Sequence, residues 1–429
     1  MAKKIGILFP GQGAQYIGMG KSLYDNFQVA REIYDKASDI LDINLKEICF
    51  EGSFSNLNHI ENMLPSIYTA SVAAFQVLQE EVNIESSFMA GHSLGEYAAL
   101  TCSGAIDFKD ALKLVQKRSI YAREWNKKQN GTMTIVEGLS TNEIEDICSI
   151  KSTTDCKAYI ACYNNSTQSV ICGHQTAIMS VEGEIIKRGG RVTPLLAGIA
   201  FHTPLMLEAS TQLERDLDNV QLNKLNCQVI SNVYARPYHN TEDIKEGLRL
   251  QMFHPVQWQS SIQYMVQEGV TDFIDIGPRN IVRSLLDKSS SYNIYSYHEL
   301  GEREKLIKDF RKDSSSTLTK DQAELFVKAC ITIAICTKNN NDSTTEYQQL
   351  VIEPYIKLKA LLHTGNTLKS IDLINTAVTY LFEIYEGKQV PIKERFLRIN
   401  KLLDGLLLDY SIKRMVKERV ESILITKVV

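Results

Sequence analysis

The sequence predicts an α/β fold with a largely parallel central sheet. Short apolar segments alternate along the chain with helical patterns, and glycine-rich turns follow two of these segments, at Pro10-Gly11 and at Gly91. This alternation is typical of strands covered by helices. Ordinary fractions of hydrophobic (44%) and charged (23%) residues indicate an ordered globular chain, and its 429 residues are enough for two or three structural units.

The elements of the sheet follow in order. The first strand, Ile5–Phe9, is apolar and is ended by a Pro-Gly pair. Residues 69–81 carry apolar side chains at helical spacing, and a second strand is predicted at 87–90, directly before Gly91. The pattern ends near residue 300, after two further predicted strands at 229–233 and 273–276.

The pattern changes between about residues 129 and 197. Helical patterns after Thr141 and Thr176 here separate predicted strands at 132–136, 158–162 and 169–172. Two such strand-helix units predict a small α+β subdomain inserted into the main sheet.

The last part of the chain is predicted to be a separate helical region of unknown role, at 318–429. Residues 301–317 are predicted as a linker, because the segment 311–317 is polar and lacks apolar periodicity. We expect about four helices, with turns at 339–342 and at Gly387. Helical spacing is clearest at 350–362 and in the run Ile399, Leu403, Leu406 and Tyr410.

Composition excludes several classes of function. A formal net charge of -4 offers no general attraction to nucleic acid or to an anionic membrane. No segment reaches the roughly 18 apolar residues of a spanning helix, and the N-terminal apolar run is too short for a signal peptide. Nine cysteines without a CxxC pair or metal-ligand spacing indicate a reducing cytoplasm and predict no metal site.

The strongest chemical signal is the GxSxG segment from Gly91 to Gly95. It follows a predicted strand and opens a predicted helix, the context in which a sharp turn presents a nucleophilic serine, here Ser93. The helix N-terminus behind it can offer N–H groups to an oxyanion.

A second glycine-rich loop, Gly11-Gln12-Gly13, follows the first strand and should lie at the same edge of the sheet. It is either a tight turn or a second source of oxyanion donors. A dinucleotide-binding loop is excluded, because Tyr16 occupies the position of the third required glycine.

With these segments in view, the chain resembles the malonyl-CoA:acyl carrier protein transacylases and the acyltransferase domains of polyketide synthases. The resemblance covers residues 1 to about 300. It implies an α/β-hydrolase-like core, formed by 1–128 and 198–300, with a ferredoxin-like subdomain inserted at 129–197. The matching motifs are Phe9-Pro10-Gly11-Gln12-Gly13-Ala14-Gln15, the segment 91–100, Gln116-Lys117-Arg118, the segment 201–206, Gln251 with the segment 254–258, and the segment 275–278.

The resemblance also implies the catalytic roles. Ser93 would attack the malonyl thioester and His202 would be its general base. The base would be oriented by the backbone carbonyl of Gln251 rather than by a carboxylate. The backbone N–H groups of Gln12 and Leu94 would hold the oxyanion.

Three residues are expected to bind the substrate. Arg118 would receive the malonyl carboxylate with two parallel hydrogen bonds, which an acetyl group cannot offer. Phe201 resembles the bulky residue of malonyl-selective relatives and would exclude a 2-methyl group. Asn164 resembles a family asparagine near the pocket.

The expected function is therefore malonyl transfer from malonyl-CoA to the phosphopantetheine thiol of an acyl carrier protein, or of a polyketide synthase carrier domain. No cofactor is expected, and the resemblance implies a monomer. Two alternatives remain: an editing hydrolase that strips acyl groups from carrier proteins with the same serine and histidine, and an assembly component that docks through its helical region. The carboxylate clamp favours transfer over hydrolysis, since simple acyl groups do not need it.

Overall fold

The computed structural model describes residues 3–195, 198–287, 292–310, 319–363, 369–406, 408 and 410–425. The chain divides into two compact units, Met1–Phe310 and Arg311–Val429. Within the described ranges, no helix is both long enough and apolar enough to cross a membrane.

Strands of the first unit form two sheets. They are β1 (Ile5–Phe9), β2 (Phe88–Gly91), β3 (Gly131–Glu137), β4 (Ala158–Asn165), β5 (Gln168–His174), β6 (Arg191–Pro194), β7 (Gln228–Ile230), β8 (Asp272–Asp275) and β9 (Asn293–Ser296).

Helices surround these sheets. They are α1 (Lys21–Asn26), α2 (Gln28–Leu41), α3 (Leu45–Phe50), α4 (Phe54–Leu57), α5 (Ile60–Val82), α6 (Gly95–Cys102), α7 (Phe108–Gln129), α8 (Thr141–Lys151), α9 (Gln175–Lys187), α10 (Leu207–Asp218), α11 (Thr241–Gln251), α12 (Trp258–Gln267), α13 (Ile281–Ser284) and α14 (Leu300–Phe310), with a 3₁₀ turn at Pro204–Met206.

The main sheet has five strands in the order β7-β2-β1-β8-β9, and each pair of neighbours is parallel. Every residue of β1, β2 and β8 is buried, as expected for a parallel sheet covered on both faces. The predicted α/β fold with a parallel sheet is confirmed. Because the strands are parallel, the loops that follow β1 and β2 lie at the same edge.

Two details of this sheet differ from the prediction. The strand expected at 229–233 ends at Ile230, because the chain turns back at Ser231, whose carbonyl accepts the Ala235 N–H. The edge strand β9 was not predicted, since its four residues, Asn293–Ser296, are half polar and show no apolar run.

The inserted subdomain has the order β3-α8-β4-β5-α9-β6 along the chain. Its four strands pair in the order β4-β5-β3-β6, all antiparallel, which is the ferredoxin-like arrangement expected. A capping box of Ser140 and Glu143 begins α8, and Ile144 and Ile178 pack in the small core between helices and sheet. The boundaries proposed for the two segments of the main core and for this subdomain stay a prediction.

The predicted linker is wrong over residues 301–310, which form most of α14. Leu306 and Ile307 are buried, and Arg303 pairs with the buried carboxylate of Glu81 at 2.8 Å. These contacts explain why a charged segment with few apolar residues is still helical. The rest of the predicted linker, 311–317, lies outside the described residues.

The second unit is helical, as predicted. Its helices are α15 (Lys320–Cys336), α16 (Thr344–Tyr347), α17 (Glu353–Ala360), α18 (Ser370–Gly387), α19 (Ile392–Asp404) and α20 (Tyr410–Ile425), with a π-helical segment at Gln348–Ile352 and a 3₁₀ turn at Leu361–His363. They enclose their own core around Phe326, Phe382 and Tyr385.

Turns of the second unit lie near the predicted positions. Asn341 joins the two predicted turns, because its side chain donates to the Gly387 carbonyl at 3.0 Å. The buried Lys388 ammonium donates to the Ala334 and Thr337 carbonyls, both at 2.7 Å, and so satisfies the end of α15. The periodic run from Ile399 to Tyr410 is divided between two helices, since α19 ends before Gly405.

Candidate active site

Ser93 lies in the turn between the end of β2 and the start of α6. Its backbone has a φ of 52°, in the left-handed region that non-glycine residues rarely adopt. The turn is tied to the neighbouring strand, because the His92 N–H donates to the Phe9 carbonyl at 2.9 Å. A strained strand-to-helix turn of this kind exposes the serine hydroxyl above the edge of the sheet.

Close backbone packing explains the glycines of both motifs. A Cβ at Gly91 would lie 1.8 Å from the Gly95 carbonyl carbon, and one at Gly95 would lie 2.2 Å from the Phe9 carbonyl oxygen. A Cβ at Gly11 would lie 2.5 Å from the His92 carbonyl oxygen. The two glycine-rich loops are therefore packed directly on each other.

We expect Gly95→Ala to lower the free energy of unfolding by roughly 2 to 4 kcal/mol, because the clashing atoms belong to the backbone and cannot rotate away. Gly183→Ala is the matched control. Gly183 is an exposed residue of α9 whose added Cβ would meet nothing within 4 Å, so that change should stabilise by about 0.5 to 1 kcal/mol. Denaturant unfolding of both variants checks this, and equal stabilities would contradict the packing described.

The Asn232 side chain holds the turn at Ser93 with two hydrogen bonds. Its Oδ1 accepts the Ser93 N–H at 2.7 Å, and its Nδ2 donates to the Gly91 carbonyl at 2.6 Å. Asn232 is in the turn after β7, which explains why the early end of that strand matters for the site. The sequence prediction did not identify this residue.

Ser93, His202 and the Gln251 carbonyl form a continuous hydrogen-bonded chain. The His202 Nδ1 lies 2.7 Å from the Gln251 carbonyl oxygen, and the His202 Nε2 lies 2.7 Å from the Ser93 Oγ. A carbonyl can only accept, so Nδ1 carries the proton and Nε2 accepts the Ser93 hydroxyl proton. This is the geometry of a nucleophile paired with its base.

His202 is held neutral. Burial lowers the pKa of its imidazole to about 3, and the positive charge of Arg118 acts in the same direction. The ring is 3% exposed, and its backbone has a φ of 64°, fixed by donation of its N–H to the Met252 carbonyl at 2.8 Å. A neutral imidazole is the form that can accept a proton from serine.

We expect the His202 ring to remain neutral in the free protein from about pH 8 to about pH 5, because its pKa is lowered to about 3. An unfolded histidine binds a proton below about pH 6.5, whereas buried His202 does not. The unfolded state is therefore favoured, and the contribution of His202 to stability is lost, as the pH falls below that value. Imidazole ¹⁵N spectra, assigned with His202→Asn, check the ionisation. A titration midpoint near 6.5 would contradict it.

Arg118 lies on α7 with its guanidinium beside the nucleophile. The side chain is 1% exposed, and its Nη2 donates to the Ser93 Oγ at 3.2 Å and to the Gln251 Oε1 at 3.3 Å. The guanidinium carbon lies 4.1 Å from the centre of the Phe201 ring.

The charge of Arg118 is not matched within the described part of the chain. Its Nε–H is buried without a hydrogen-bond acceptor there, and the guanidinium forms no ion pair with a described carboxylate. Burial lowers the pKa of Arg118, while the more distant Glu96 carboxylate acts in the opposite direction. A buried cation with an unused N–H group is prepared to receive an anion.

Seven of the eight predicted site residues line a cavity of about 130 Å³, and Gln251 lies behind it. Its lining includes Gln12, Ser93, Leu94, Arg118, Asn164, Phe201 and His202. Apolar side chains such as Met133 and Ile135 complete the wall, so the cavity offers few polar partners besides those of the site.

Leu94 and Asn164 differ in whether their hydrogen-bonding groups are available to a substrate. The Leu94 N–H, at the start of α6, makes no hydrogen bond to another described residue, as an oxyanion donor would require. Asn164 already uses both ends of its amide, since it contacts His92 Nε2 and donates to Gln168 Oε1, each at 2.8 Å. Substrate binding by Asn164 stays a prediction.

A buried carboxylate lies behind the site. Glu96, which is fully buried, accepts hydrogen bonds from Tyr238, Asn232 and Gln251. Burial raises the pKa of Glu96 to about 7 despite these donors. The sequence prediction missed Glu96, although it falls within the GHSLGEYAAL segment three residues after the serine.

Known proteins are similar to this chain in sequence and in fold. A family model described as the acyl transferase domain matches residues 7–328. A malonyl CoA-acyl carrier protein transacylase of Bacillus subtilis is 34% identical over 404 residues, which span 92% of this chain and 99% of that protein. That alignment must include most of residues 311–429, so the similarity to this relative extends into the sequence of the second unit.

Solved structures of malonyl transacylases have a similar fold. The malonyl CoA-acyl carrier protein transacylase of Coxiella burnetii superposes with a TM-score of 0.69 at 30% identity, covering 73% of this chain and 99% of that one. A malonyl-transacylase solved in complex with a type II PKS acyl-carrier protein gives a TM-score of 0.69 at 28% identity, covering 71% and 99% of the two chains. The chain therefore belongs to the acyl transferase domain family, among its malonyl CoA-acyl carrier protein transacylases.

Proposed function

We propose that this enzyme transfers a malonyl group from malonyl-CoA to the phosphopantetheine thiol of an acyl carrier protein, through an acyl-enzyme on Ser93. The observation that carries the proposal is the unmatched, buried charge of Arg118 beside the Ser93–His202 pair. A hydrolase of simple acyl groups has no use for a buried guanidinium, whose desolvation is costly without an anionic partner.

In this proposal, Arg118 sets the position of the substrate. The malonyl carboxylate takes the free N–H groups of the guanidinium in charge-assisted hydrogen bonds. One methylene separates this carboxylate from the thioester carbon. Because Arg118 contacts the Ser93 Oγ at 3.2 Å, a carboxylate held on the guanidinium leaves the thioester carbon beside the nucleophile.

The first half-reaction makes the acyl-enzyme. The Ser93 Oγ attacks the thioester carbon while its proton passes to His202 Nε2, and the N–H groups of Gln12 and Leu94 hold the oxyanion. The carbon–sulfur bond then breaks, and the coenzyme A thiolate takes the proton from His202. The second half-reaction is the reverse, with the carrier thiol as nucleophile.

Substrate binding also tunes the base. Arg118 is the second cause of the lowered pKa of His202, after burial. A malonyl carboxylate on Arg118 neutralises that charge, so the pKa of His202 rises when the correct substrate is bound. An acetyl group gives no such effect, and this contributes to selection in the chemical step as well as in binding.

Phe201 limits the size of the acyl group in this proposal. Its ring supports the Arg118 guanidinium on one side and lines the cavity of about 130 Å³ on the other. A 2-methyl substituent on the malonyl group would need space that the ring occupies, which corresponds to discrimination of about 1 to 3 kcal/mol.

We also propose that the enzyme works in the cytoplasm as a monomer, in polyketide or fatty acid synthesis. The cytoplasmic assignment is supported by its nine free thiols, which fit a reducing compartment. Sedimentation of the full chain tests the monomer.

The experiment that tests the function measures how the acyl group is divided between two acceptors. Purified enzyme is mixed with malonyl-CoA and a phosphopantetheinylated carrier protein, and malonyl-carrier and free malonate are both quantified. The proposal expects malonyl-carrier as the main product. Mostly free malonate, or faster release of acetyl groups from an acetylated carrier than any transfer, would favour an editing hydrolase instead.

A further inference from the structure

We propose that Glu96 is a positioning residue, which orients the Gln251 side chain so that Gln251 holds both Arg118 and the base. This inference rests on the proposed function. Glu96 does not touch the cavity, and it would act only through its neighbours.

Three hydrogen bonds fix the orientation of the Glu96 carboxylate. Oε1 accepts the Asn232 N–H at 2.9 Å and the Tyr238 hydroxyl at 2.7 Å. Oε2 accepts the Gln251 Nε2 at 2.5 Å. Three donors from the turn after β7 and from α11 therefore converge on one buried group of α6.

This arrangement fixes which way the Gln251 amide points. The Ser93 carbonyl can only accept, and it accepts the Gln251 NH₂ group at 2.9 Å. The same NH₂ group therefore faces Glu96, whose ionised carboxylate accepts its other hydrogen. The Gln251 Oε1 is consequently directed at Arg118, where it accepts from Nη2 at 3.3 Å. With the amide reversed, two donors would face each other at Arg118.

The same residue carries the carbonyl that orients the base. Gln251 is the last residue of α11, and its backbone oxygen accepts the His202 Nδ1–H at 2.7 Å. Anchoring the Gln251 side chain on Glu96 thus fixes the carbonyl that sets the ring orientation of His202. Through one amide, Glu96 is linked to the substrate cation and to the base.

A neutral spacer between Glu96 and Arg118 has a chemical advantage. Ionised Glu96 supports the charged form of Arg118 electrostatically, yet Arg118 donates its hydrogen bond to the Gln251 Oε1 and not to the carboxylate. A direct ion pair would occupy the N–H groups needed by a malonyl carboxylate. The spacer keeps the guanidinium charged and leaves it open.

The decisive variant is Glu96→Gln, which keeps the shape and removes one acceptor. Tyr238 and Asn232 both donate, so they would retain the new carbonyl oxygen, and the new NH₂ group would face Gln251. Gln251 must then turn its amide and lose its contacts with Arg118 and Ser93. We expect kcat/KM for malonyl-CoA to fall by about 10- to 100-fold.

Selectivity separates positioning from a merely structural role. Acyl-enzyme formation is measured with malonyl-CoA and with acetyl-CoA, and the malonyl-to-acetyl ratio of kcat/KM should fall by about tenfold in Glu96→Gln, because the acetyl group does not use Arg118. Glu81→Gln is the control. Glu81 is also buried, but it pairs with Arg303 on another part of the unit, so the ratio should not change.

A double-mutant cycle tests whether Glu96 acts through the Gln251 side chain. Gln251→Met removes the amide and keeps the backbone carbonyl, and it should lower the ratio by itself. Adding Glu96→Gln to Gln251→Met should then reduce kcat/KM by less than about twofold more, because the intermediary is absent. If Glu96→Gln fails to fold, the ratio in Gln251→Met still decides whether this amide sets selectivity.

Two results would overturn the proposal: an unchanged malonyl-to-acetyl ratio in Glu96→Gln, or losses that multiply fully in the double variant. The wild-type enzyme distinguishes this failure from a failure of the proposed function. If wild type transfers malonyl groups and Glu96→Gln keeps its ratio, only the role of Glu96 is wrong. If wild type transfers no malonyl group, the function itself is wrong.

Discussion

Ser93→Ala is expected to lower kcat for malonyl transfer by about 10⁴-fold or more, since no other group can form the acyl-enzyme. The Ser93 Oγ is the atom that meets His202 Nε2 at 2.7 Å and Arg118 Nη2 at 3.2 Å, so its removal ends the chain of hydrogen bonds from the Gln251 carbonyl. Steady-state formation of malonyl-carrier measures the loss.

The loss should come with little change in stability. Alanine tolerates the backbone of the turn about as well as serine, and the Ser93 N–H still donates to Asn232. Ser87→Ala, just before β2 and away from the cavity, is the control and should retain full activity. Malonyl transfer by Ser93→Ala within tenfold of wild type would exclude a serine acyl-enzyme.

Arg118→Met should reverse the substrate preference. Methionine keeps most of the side-chain volume and removes the cation, so kcat/KM for malonyl-CoA should fall by about 10²- to 10³-fold, the range expected when one member of a buried charge pair is truncated. Acetyl-CoA should become the better substrate, because it no longer has to leave a buried guanidinium unpaired.

Arg123→Met on the same helix is the control for this prediction. Arg123 pairs with Glu61 at 2.9 Å and does not line the cavity, so its loss should leave the preference unchanged. Arg118→Lys should be intermediate, since an ammonium keeps the charge without the planar fork. An unchanged preference in Arg118→Met would contradict the assignment of the carboxylate clamp.

The sequence predicted the fold wherever apolar patterns were strong. The strands β1, β2 and β8 each contain a short apolar segment, and the structure confirms the predicted bounds within one residue. The weak points were elements whose stability comes from contacts made elsewhere in the chain. In α14, for example, Arg303 is held by Glu81, a partner 222 residues earlier in the chain that no local pattern reveals.

In the site, too, the sequence predicted residues in local motifs but missed those whose roles depend on distant contacts. Ser93 and Gln12 are in local motifs whose glycines have a geometric cause, and His202 and Arg118 were identified through the family resemblance. Asn232 and Tyr238 were missed, because their roles depend on contacts with Gly91 and Glu96 across more than 130 residues of sequence. Glu96 is part of the motif at 91–100, but the sequence does not distinguish it from a surface charge of α6. Its burial in the structure does.

The most direct test of the account is intact-mass analysis of the wild-type enzyme after mixing with malonyl-CoA, followed by addition of a phosphopantetheinylated carrier protein. We expect a gain of one malonyl group, mapped to Ser93 by peptide analysis, and its transfer to the carrier when the carrier is added. No covalent malonyl adduct under conditions of rapid turnover, or an adduct that maps to another residue, would contradict it.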